Sequence, residues 1–587
     1  MRVSDLVLSL LIGITPALAI WPIPKTISTG DQTLWIEHNI QVTYNGGILP
    51  WYDDDSSSQA TTVSSKEIVL GGVCRALSTI LDKSFVPWKL YARNAVKQTE
   101  PSADRAKTCI TELVITKTGN DSTDTWKPLD GTVDESYSLS VGLDGSAKIE
   151  AVSAVGILHA LETFTQLFYK HSTSGIYTTL APVDIKDAPK FPHRGILFDV
   201  ARDFYPVPSI LKTLDAMAQN KLNRLHIHAT DSQSWPLEIP SMPELTEKGA
   251  YASVAVYSAD DIAHIQQYAV QRGIEVIIEI DTPGHIGIVA EAYPDLITGW
   301  GSAPWTSYCA EPPCGQFRLN EPKVDDFLDK LMDDLLPRLS PYSAYFHTGG
   351  DEVNFNVYWL DPSVGTNDSA VITPLLQKFT DNNHARVRKA GLVPFVWEEI
   401  PVKYNVTIGD DVIVQSWLGA DAVASLTANG HKVIDSNYNF WYLDCGRGQF
   451  ITFENGAPVD AYYPFNDWCG PTKSWQLIYS HDPVANLTEE QAKLVLGGEV
   501  AVWAELIDDQ NFDSIVWPRA SAMGEVLWSG RLDDTGTNRS AVEAAPRLAD
   551  LRERMVARGI GASPLHMVFC TQGGNGSTCE WPESAAV

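Results

Sequence analysis

The chain has 587 residues, enough for about three to four average domains or for two if one is a large barrel, and at 44% hydrophobic with 18 Trp it can bury a large core. A formal net charge of −30 and a pI of about 4.7 exclude a polyanion such as DNA as partner, because phosphates are neutralised by Lys and Arg. The same charge suits a dispersed, soluble protein and leaves the substrate open.

Residues 1–19 read as a secretory leader: Arg2, an apolar core over Leu6–Ile14, and the small-residue site Ala17-Leu18-Ala19. No later run reaches the roughly 18 apolar residues of a membrane span, so a secreted, extracellular protein is expected. Eight cysteines suit that compartment: Cys74, Cys109, Cys309, Cys314, Cys445, Cys469, Cys570 and Cys579. Their spacing favours sequential pairing into four local loops without fixing the connectivity. No Cys-x-x-Cys pair or His-x-x-x-His helix accompanies them, so zinc is disfavoured. Sequons at Asn120, Asn367, Asn405, Asn486, Asn538 and Asn575 are surface glycan acceptors in such a chain.

Residues 20–189 mix strand-like runs (Leu34–His38, Ile40–Tyr44, Glu112–Thr116, Tyr137–Val141, Ala147–Ala151) with helical ones (Ser65–Leu81, Ala154–Phe168). This predicts a smaller α+β domain without a catalytic cluster. Lys97–Lys107 is polar and reads as an exposed loop. From Arg194 a rhythm begins. Eight β-rich runs recur at Gly195–Ala201, Leu225–Thr230, Ile274–Ile280, Tyr345–Thr348, Val393–Trp397, Val412–Trp417, Lys432–Asp435 and Val500–Trp503. Amphipathic stretches separate many of them, at Val207–Asn220, Ala259–Arg272, Val324–Leu339, Thr373–Ala390 and Ala420–Asn429. Strands alternating with helices predict an α/β (β/α)8 TIM barrel, placed over 190–587 with a C-terminal extension. Pro401–Asp410 is too short and polar for a crossover helix, so one barrel helix is expected to be missing. Helices are expected at Asp513–Leu527 and Ala545–Arg558, with loop beyond Gly561.

Chemistry in such barrels sits at the C-terminal ends of the strands. Those ends carry Arg202-Asp203, Asp231, Asp281 followed by His285, Asp351-Glu352, Trp397-Glu398-Glu399, Trp417, then Trp441, Tyr442 and Asp444, and finally Trp503 and Glu505. Asp351 and Glu352 stand out. Neighbours on a strand face opposite ways, but Gly349-Gly350 lets the backbone bend so that both acids enter one pocket. Close carboxyls separate in proton affinity, so one can stay acid while the other stays charged. The bland alternative is an exposed loop with two solvated acids. Recurrence of acids, an Arg, a His and tryptophans at one barrel end argues against it. Aromatic walls with convergent polar groups suit a sugar, with its apolar faces and hydroxyl edge. Each Trp alone could be barrel core. His226 and His228 read as satisfied barrel residues, His285 as a pocket residue after a Pro-Gly turn, and Arg194 with Asp199 as a structural pair.

Six ordered motifs carry a resemblance: Arg194-Gly-Ile-Leu-Phe-Asp199-Val-Ala-Arg202, His226-Ile-His-Ala-Thr-Asp231, Asp281-Thr-Pro-Gly-His285, His347-Thr-Gly-Gly-Asp351-Glu352, Trp441-Tyr442-Leu-Asp444 and Gly497-Gly-Glu499-Val-Ala-Val-Trp503-Ala-Glu505. The chain resembles the β-N-acetylhexosaminidases of glycoside hydrolase family 20, most closely the secreted fungal type. The resemblance implies Glu352 as acid/base and Asp351 as the partner that holds the substrate's 2-acetamido group. It places Arg202, Glu505 and Asp444 at sugar hydroxyls, Trp397, Trp417 and Trp503 around the pocket, Tyr442 at the acetamido carbonyl, and Asp231 and His285 behind the acid. It implies a chitooligosaccharide or glycan substrate, a homodimer, and no metal or cofactor. Within the family, disaccharide release or transglycosylation is an alternative. Outside it, the alternative is a sugar-binding protein on a dead barrel, expected to lack one of the two acids. A chitinase of the other substrate-assisted type is disfavoured because no Asp-x-x-Asp-x-Asp-x-Glu run occurs.

Overall fold

Seven strands open the described chain as one mixed sheet, in the order Gly47–Ile48, Thr26–Tyr44, Cys109–Lys117, Ser146–Ala151, Tyr137–Val141, Ile176–Asp187, Tyr169–Lys170. The computed structural model describes residues 19–51, 63–103, 107–120, 131–452, 467–572 and 579. Nearly all of the leader, the Asn575 sequon and residues 104–106 of the polar stretch lie outside them. Asn120, Asn367, Asn405, Asn486 and Asn538 are exposed. The start of the expected loop at 97–107 is instead a short helix, Val96–Thr99.

The two strands expected at Leu34–His38 and Ile40–Tyr44 are one. Thr26–Trp35 pairs with Ile176–Asp187, and the same strand continues along Cys109–Lys117 after an irregularity between Ile36 and Gln41. Two helices cover the sheet. Ser65–Asp82 starts on a capping box of Ser64 and Glu67, and Ala154–Thr165 starts on Ser153. They pack so closely that a Cβ on Gly72 would come within 2.4 Å of Leu158.

The second body is a closed parallel barrel of His193–Asp199, Arg224–His228, Glu275–Glu279, Tyr345–His347, Val393–Trp397, Ile413–Ser416, Lys432–Asp435 and Val495–Val502. The strands are almost wholly buried, as a sheet sandwiched by helices requires. Their period of two sorts the side chains. Ile196, Phe198, Leu225, Ile227, Val276 and Ile278 point outward to the helices. Ile277, Tyr345, Phe395, Ile413 and Ile434 plug the barrel's lower interior. The crossovers over Val207–Gln219, Ala259–Val270, Pro322–Leu339, Ser369–Lys389 and Ala420–Ala428 match expectation. Between the fifth and sixth strands there is only Glu399–Val402. The helix expected at Asp513–Leu527 is two, Phe512–Val516 and Arg519–Ser529, split at Trp517-Pro518 because proline lacks the amide a continuous helix needs. The tail after Gly561 is not all loop: Val568–Gln572 is helical. No helix among the described residues is long and apolar enough to cross a membrane.

Buried ion pairs lock the two bodies together. Arg194 at the foot of the first barrel strand donates to Glu135 at 2.5 Å, and Lys221 lies 3.0 Å from Asp187. Arg194 therefore does not pair with Asp199: the two occupy opposite ends of one strand, and Asp199 accepts from the amides of Ala201, Arg202 and Ala504. Arg554 of helix Ala541–Ala557 donates to the carbonyls of Thr165, Gln166 and Phe168, satisfying the end of helix Ala154–Thr165. Three disulfides form: Cys309–Cys314, Cys445–Cys469 and Cys570–Cys579. The fourth sequential pair does not. Cys74 and Cys109 are free thiols, because each is held in its own element. Cys74, midway along its helix, donates to the Trp51 carbonyl at 3.2 Å, and Cys109 opens a strand beside Glu37.

Candidate active site

The fourth barrel strand ends in a bend that sets two neighbouring acids differently. Gly349 and Gly350 have φ of 73° and 110°. A Cβ on Gly349 would lie 1.8 Å from Asp281, so only glycine fits there. Glu352 itself has φ 47°, a left-handed conformation that non-glycine residues adopt at a cost. As a result Asp351 is buried beside Asp281, whereas Glu352 keeps about a third of its side chain exposed, at 34%.

Behind Glu352 stands a chain of partners. Nε2 of His285 lies 3.3 Å from Oε2 of Glu352, and its Nδ1 lies 3.1 Å from Oδ2 of Asp231. Burial acts against a charged ring, but Asp231 and Asp351 outweigh it and raise His285 well above its usual range. Burial likewise opposes a charged Asp231, and Arg202 at 2.7 Å with His285 overcomes it, holding that carboxyl far below the usual value. Asp351 moves the other way. Burial first, then Asp281, raise it well above the carboxylate range. Burial also pushes Asp281 up to about 7. The two carboxyls lie within 4.8 Å of each other, and each keeps one buried oxygen (Oδ2 of Asp281, Oδ1 of Asp351) without a hydrogen-bond partner among the described residues, so one shared proton reconciles them.

Opposite the acids, aromatic rings close a box. Trp417 stacks on Tyr442 with centroids 6.1 Å apart, and Trp503 lies 6.2 Å from both Tyr442 and Trp397. Buried carboxyls pin two of the indoles: Trp397 Nε1 donates to Glu279 at 2.8 Å, and Trp417 Nε1 to Glu399 at 3.0 Å. The loop after the seventh strand reaches this box because the Leu443 amide donates to Ala501 of the eighth strand. That delivers Tyr442 and Asp444, and Cys445–Cys469 staples the loop. Burial raises Asp444 to about 7 and its Oδ1 has no hydrogen-bond partner among the described residues.

Arg202 faces a ring of acids. Besides Asp231 it donates to Glu311 through Nε at 2.9 Å and lies 3.3 Å from Asp199. Glu505 is near: burial, then Glu311, raise its carboxyl well above the usual range against the pull of Arg202. All eleven side chains singled out from the sequence for catalysis or binding thus gather at one end of the barrel. Sequence reading placed Asp281 and Glu399 at strand ends without giving them a role, and it missed Glu311, Glu279 and the exposed Trp468, whose ring meets Trp417 edge-on at 5.7 Å. Glu311 had a signal, since it is one of the four residues enclosed by the Cys309–Cys314 bridge. Several histidine and carboxylate groupings are tight enough to chelate a cation, but they are engaged in ion pairs with one another.

A barrel with a bent acid pair, a histidine–aspartate support and an aromatic box defines a glycoside hydrolase. The chain matches the model described as glycosyl hydrolase family 20, catalytic domain, over residues 191–531, and one described as beta-acetyl hexosaminidase like over 20–167. It belongs to glycosyl hydrolase family 20. It is 38% identical to a beta-hexosaminidase of Arthroderma benhamiae, covering 94% of this chain and 96% of that one. It is 34% identical to a chitooligosaccharidolytic beta-N-acetylglucosaminidase of Bombyx mori, covering 75% and 74%. Among solved structures, the chitobiase of Flavobacterium johnsoniae superposes with a TM-score of 0.69 at 26% identity, covering 92% of this chain and 73% of that one.

Proposed function

We propose that the protein is an exo-acting, retaining β-N-acetylhexosaminidase that removes terminal β-linked N-acetylglucosamine or N-acetylgalactosamine from chitooligosaccharides or glycoconjugates. The observation that carries the mechanism is the unequal setting of two adjacent acids. Glu352, exposed to the cleft and backed by His285, protonates the glycosidic oxygen, because an alkoxide is too poor a leaving group. The substrate's own acetamido oxygen attacks the anomeric carbon and forms an oxazolinium ring, as in substrate-assisted glycosidases. An intramolecular attack avoids the entropy of recruiting a nucleophile. Asp351, sharing one proton with Asp281 until substrate binds, turns a charged oxygen to the acetamido N–H, accepts from it and stabilises the positive charge that develops. Trp397, Trp417, Trp503 and Tyr442 enclose the acetamido group and exclude water, with Tyr442 at its carbonyl. Arg202, Asp444 and Glu505 bind the hydroxyl edge. Water then opens the ring with Glu352 as base, giving net retention.

The relatives' names support the substrate class. The leader over 1–19 supports secretion, the exposed sequons support glycan attachment, and the resemblance supports a homodimer. The two family matches support a division into 20–189 and 190–587. Release of chromophore from an aryl β-N-acetylglucosaminide, tested beside the galactosaminide and the plain glucoside, decides the activity. Equal turnover of the plain glucoside contradicts a role for the acetamido group.

A further inference from the structure

Below the acid's support the barrel interior continues the same chain of contacts. His228 faces inward from the second strand. Its Nε2 lies 3.1 Å from Oδ2 of Asp231, and its Nδ1 lies 2.6 Å from Oε2 of Glu279. Glu279 is fully buried, and its other oxygen accepts from Trp397 Nε1 at 2.8 Å. One carboxylate thus reaches Glu352 through His228, Asp231 and His285, and reaches the acetamido box through Trp397. A buried acid in a barrel is ordinarily only a partner for a buried base. Glu499 fits that description, bonded to His193 at 2.7 Å and to His226 at 3.1 Å. These two and Gln415, which donates to Glu499 at 3.0 Å, belong to the barrel floor; Glu279 also touches the floor through His226 and His347, but through His228 and Trp397 it alone of the two leads to the reacting groups.

We propose that Glu279 and His228 are positioning residues: they form the inner end of a five-member relay that holds Asp231 and His285 against Glu352, while Glu279 fixes Trp397. The proposal rests on the reading of Glu352 as acid/base. His228 is faced by Glu279, Asp231, the more distant Arg202 and the edge-on ring of Trp503. Glu279 is faced by His226 at 3.1 Å, His347 at 2.9 Å, His228 and Trp397, with Glu499 beyond His226. Burial and Arg202 favour a neutral His228, but Glu279 and Asp231 prevail and bring it to about 10. His228 is therefore an imidazolium at working pH, donating at both nitrogens. Removing the charge of Glu279 leaves burial and Arg202 less opposed, so the ring loses its proton at lower pH and its grip on Asp231 changes.

The test compares Glu279→Gln with Glu499→Gln, which removes a buried carboxylate of the same floor outside the relay. In Glu279→Gln the alkaline limb of kcat/KM moves down by about one pH unit. Its loss is at least about 10-fold larger on the β-linked N-acetylglucosamine disaccharide, whose leaving group needs protonation, than on the 4-nitrophenyl glycoside. Glu499→Gln shows neither effect. Equal losses on both substrates with an unmoved limb, or the same behaviour in Glu499→Gln, overturn the proposal. Neutron diffraction of the unsubstituted enzyme reads the relay without any variant: deuterium on both ring nitrogens of His228 at neutral pH supports it, and a singly protonated ring overturns it. Glu352→Gln is assayed alongside. Full activity there sinks the acid assignment, whatever Glu279→Gln does.

Discussion

Nε2 of His285 stands 3.3 Å from Oε2 of Glu352 and 4.0 Å from Oδ2 of Asp351, so one imidazolium serves both neighbouring acids. It sees them unequally, because the glycine bend buries Asp351 and turns Glu352 toward the cleft. That asymmetry is what separates a proton-transfer role from a positioning role.

Glu352→Gln keeps the shape of the side chain and removes the transferable proton. Turnover of the disaccharide is expected to fall by about 10²–10⁴-fold, with substrate binding retained. Steady-state kinetics beside calorimetric binding check this, and near-normal turnover contradicts the assignment.

Asp351→Asn exchanges a charge-stabilising oxygen for an amide next to Asp281. A loss of about 10²–10³-fold in kcat is expected, with little change in thermal midpoint. An unchanged rate marks Asp351 as a bystander. A collapse of stability instead marks the Asp281 contact as structural.

Glu135 ties the sheet domain to Arg194 below the barrel. Burial opposes its charge, but Arg194 and His159 prevail and hold it at about 2, against an ordinary value of 4.5. A depressed carboxyl contributes stability that is fully present above 4.5 and is lost as pH falls from 4.5 to about 2, up to about 3 kcal/mol. Burial lowers His159 too, so acid acts on both in the same direction. Denaturant titrations are expected to show Glu135→Gln less stable by about 3–5 kcal/mol at neutral pH, with the gap narrowing across that acid window. A gap independent of pH contradicts the pairing.

The barrel was legible because its strands carry buried β-rich apolar runs and its helices are amphipathic; all eight strands overlap the predicted runs, although the eighth begins at Val495, ahead of the expected Val500. The sheet domain was harder. Ile176–Asp187 went unseen because Pro182 interrupts it, although Val183, Ile185 and Asp187 alternate inward beyond that point. The site's outer residues were legible through the strand-end rule. Its supports were not, because Glu279 lies inside a strand that reads as core and Glu311 arrives on a loop. Cys74 and Cys109 show the limit of counting: an even number of cysteines suggests pairing, but the fold decides which thiols meet.

Inhibition by a thiazoline mimic of the cyclised sugar tests the substrate-assisted mechanism most directly. Competitive binding at least about 10²-fold tighter than that of free N-acetylglucosamine is expected, because the mimic has the shape of an intermediate the site stabilises. Binding no tighter than the free sugar, together with a sugar trapped covalently on an enzyme carboxylate, contradicts it.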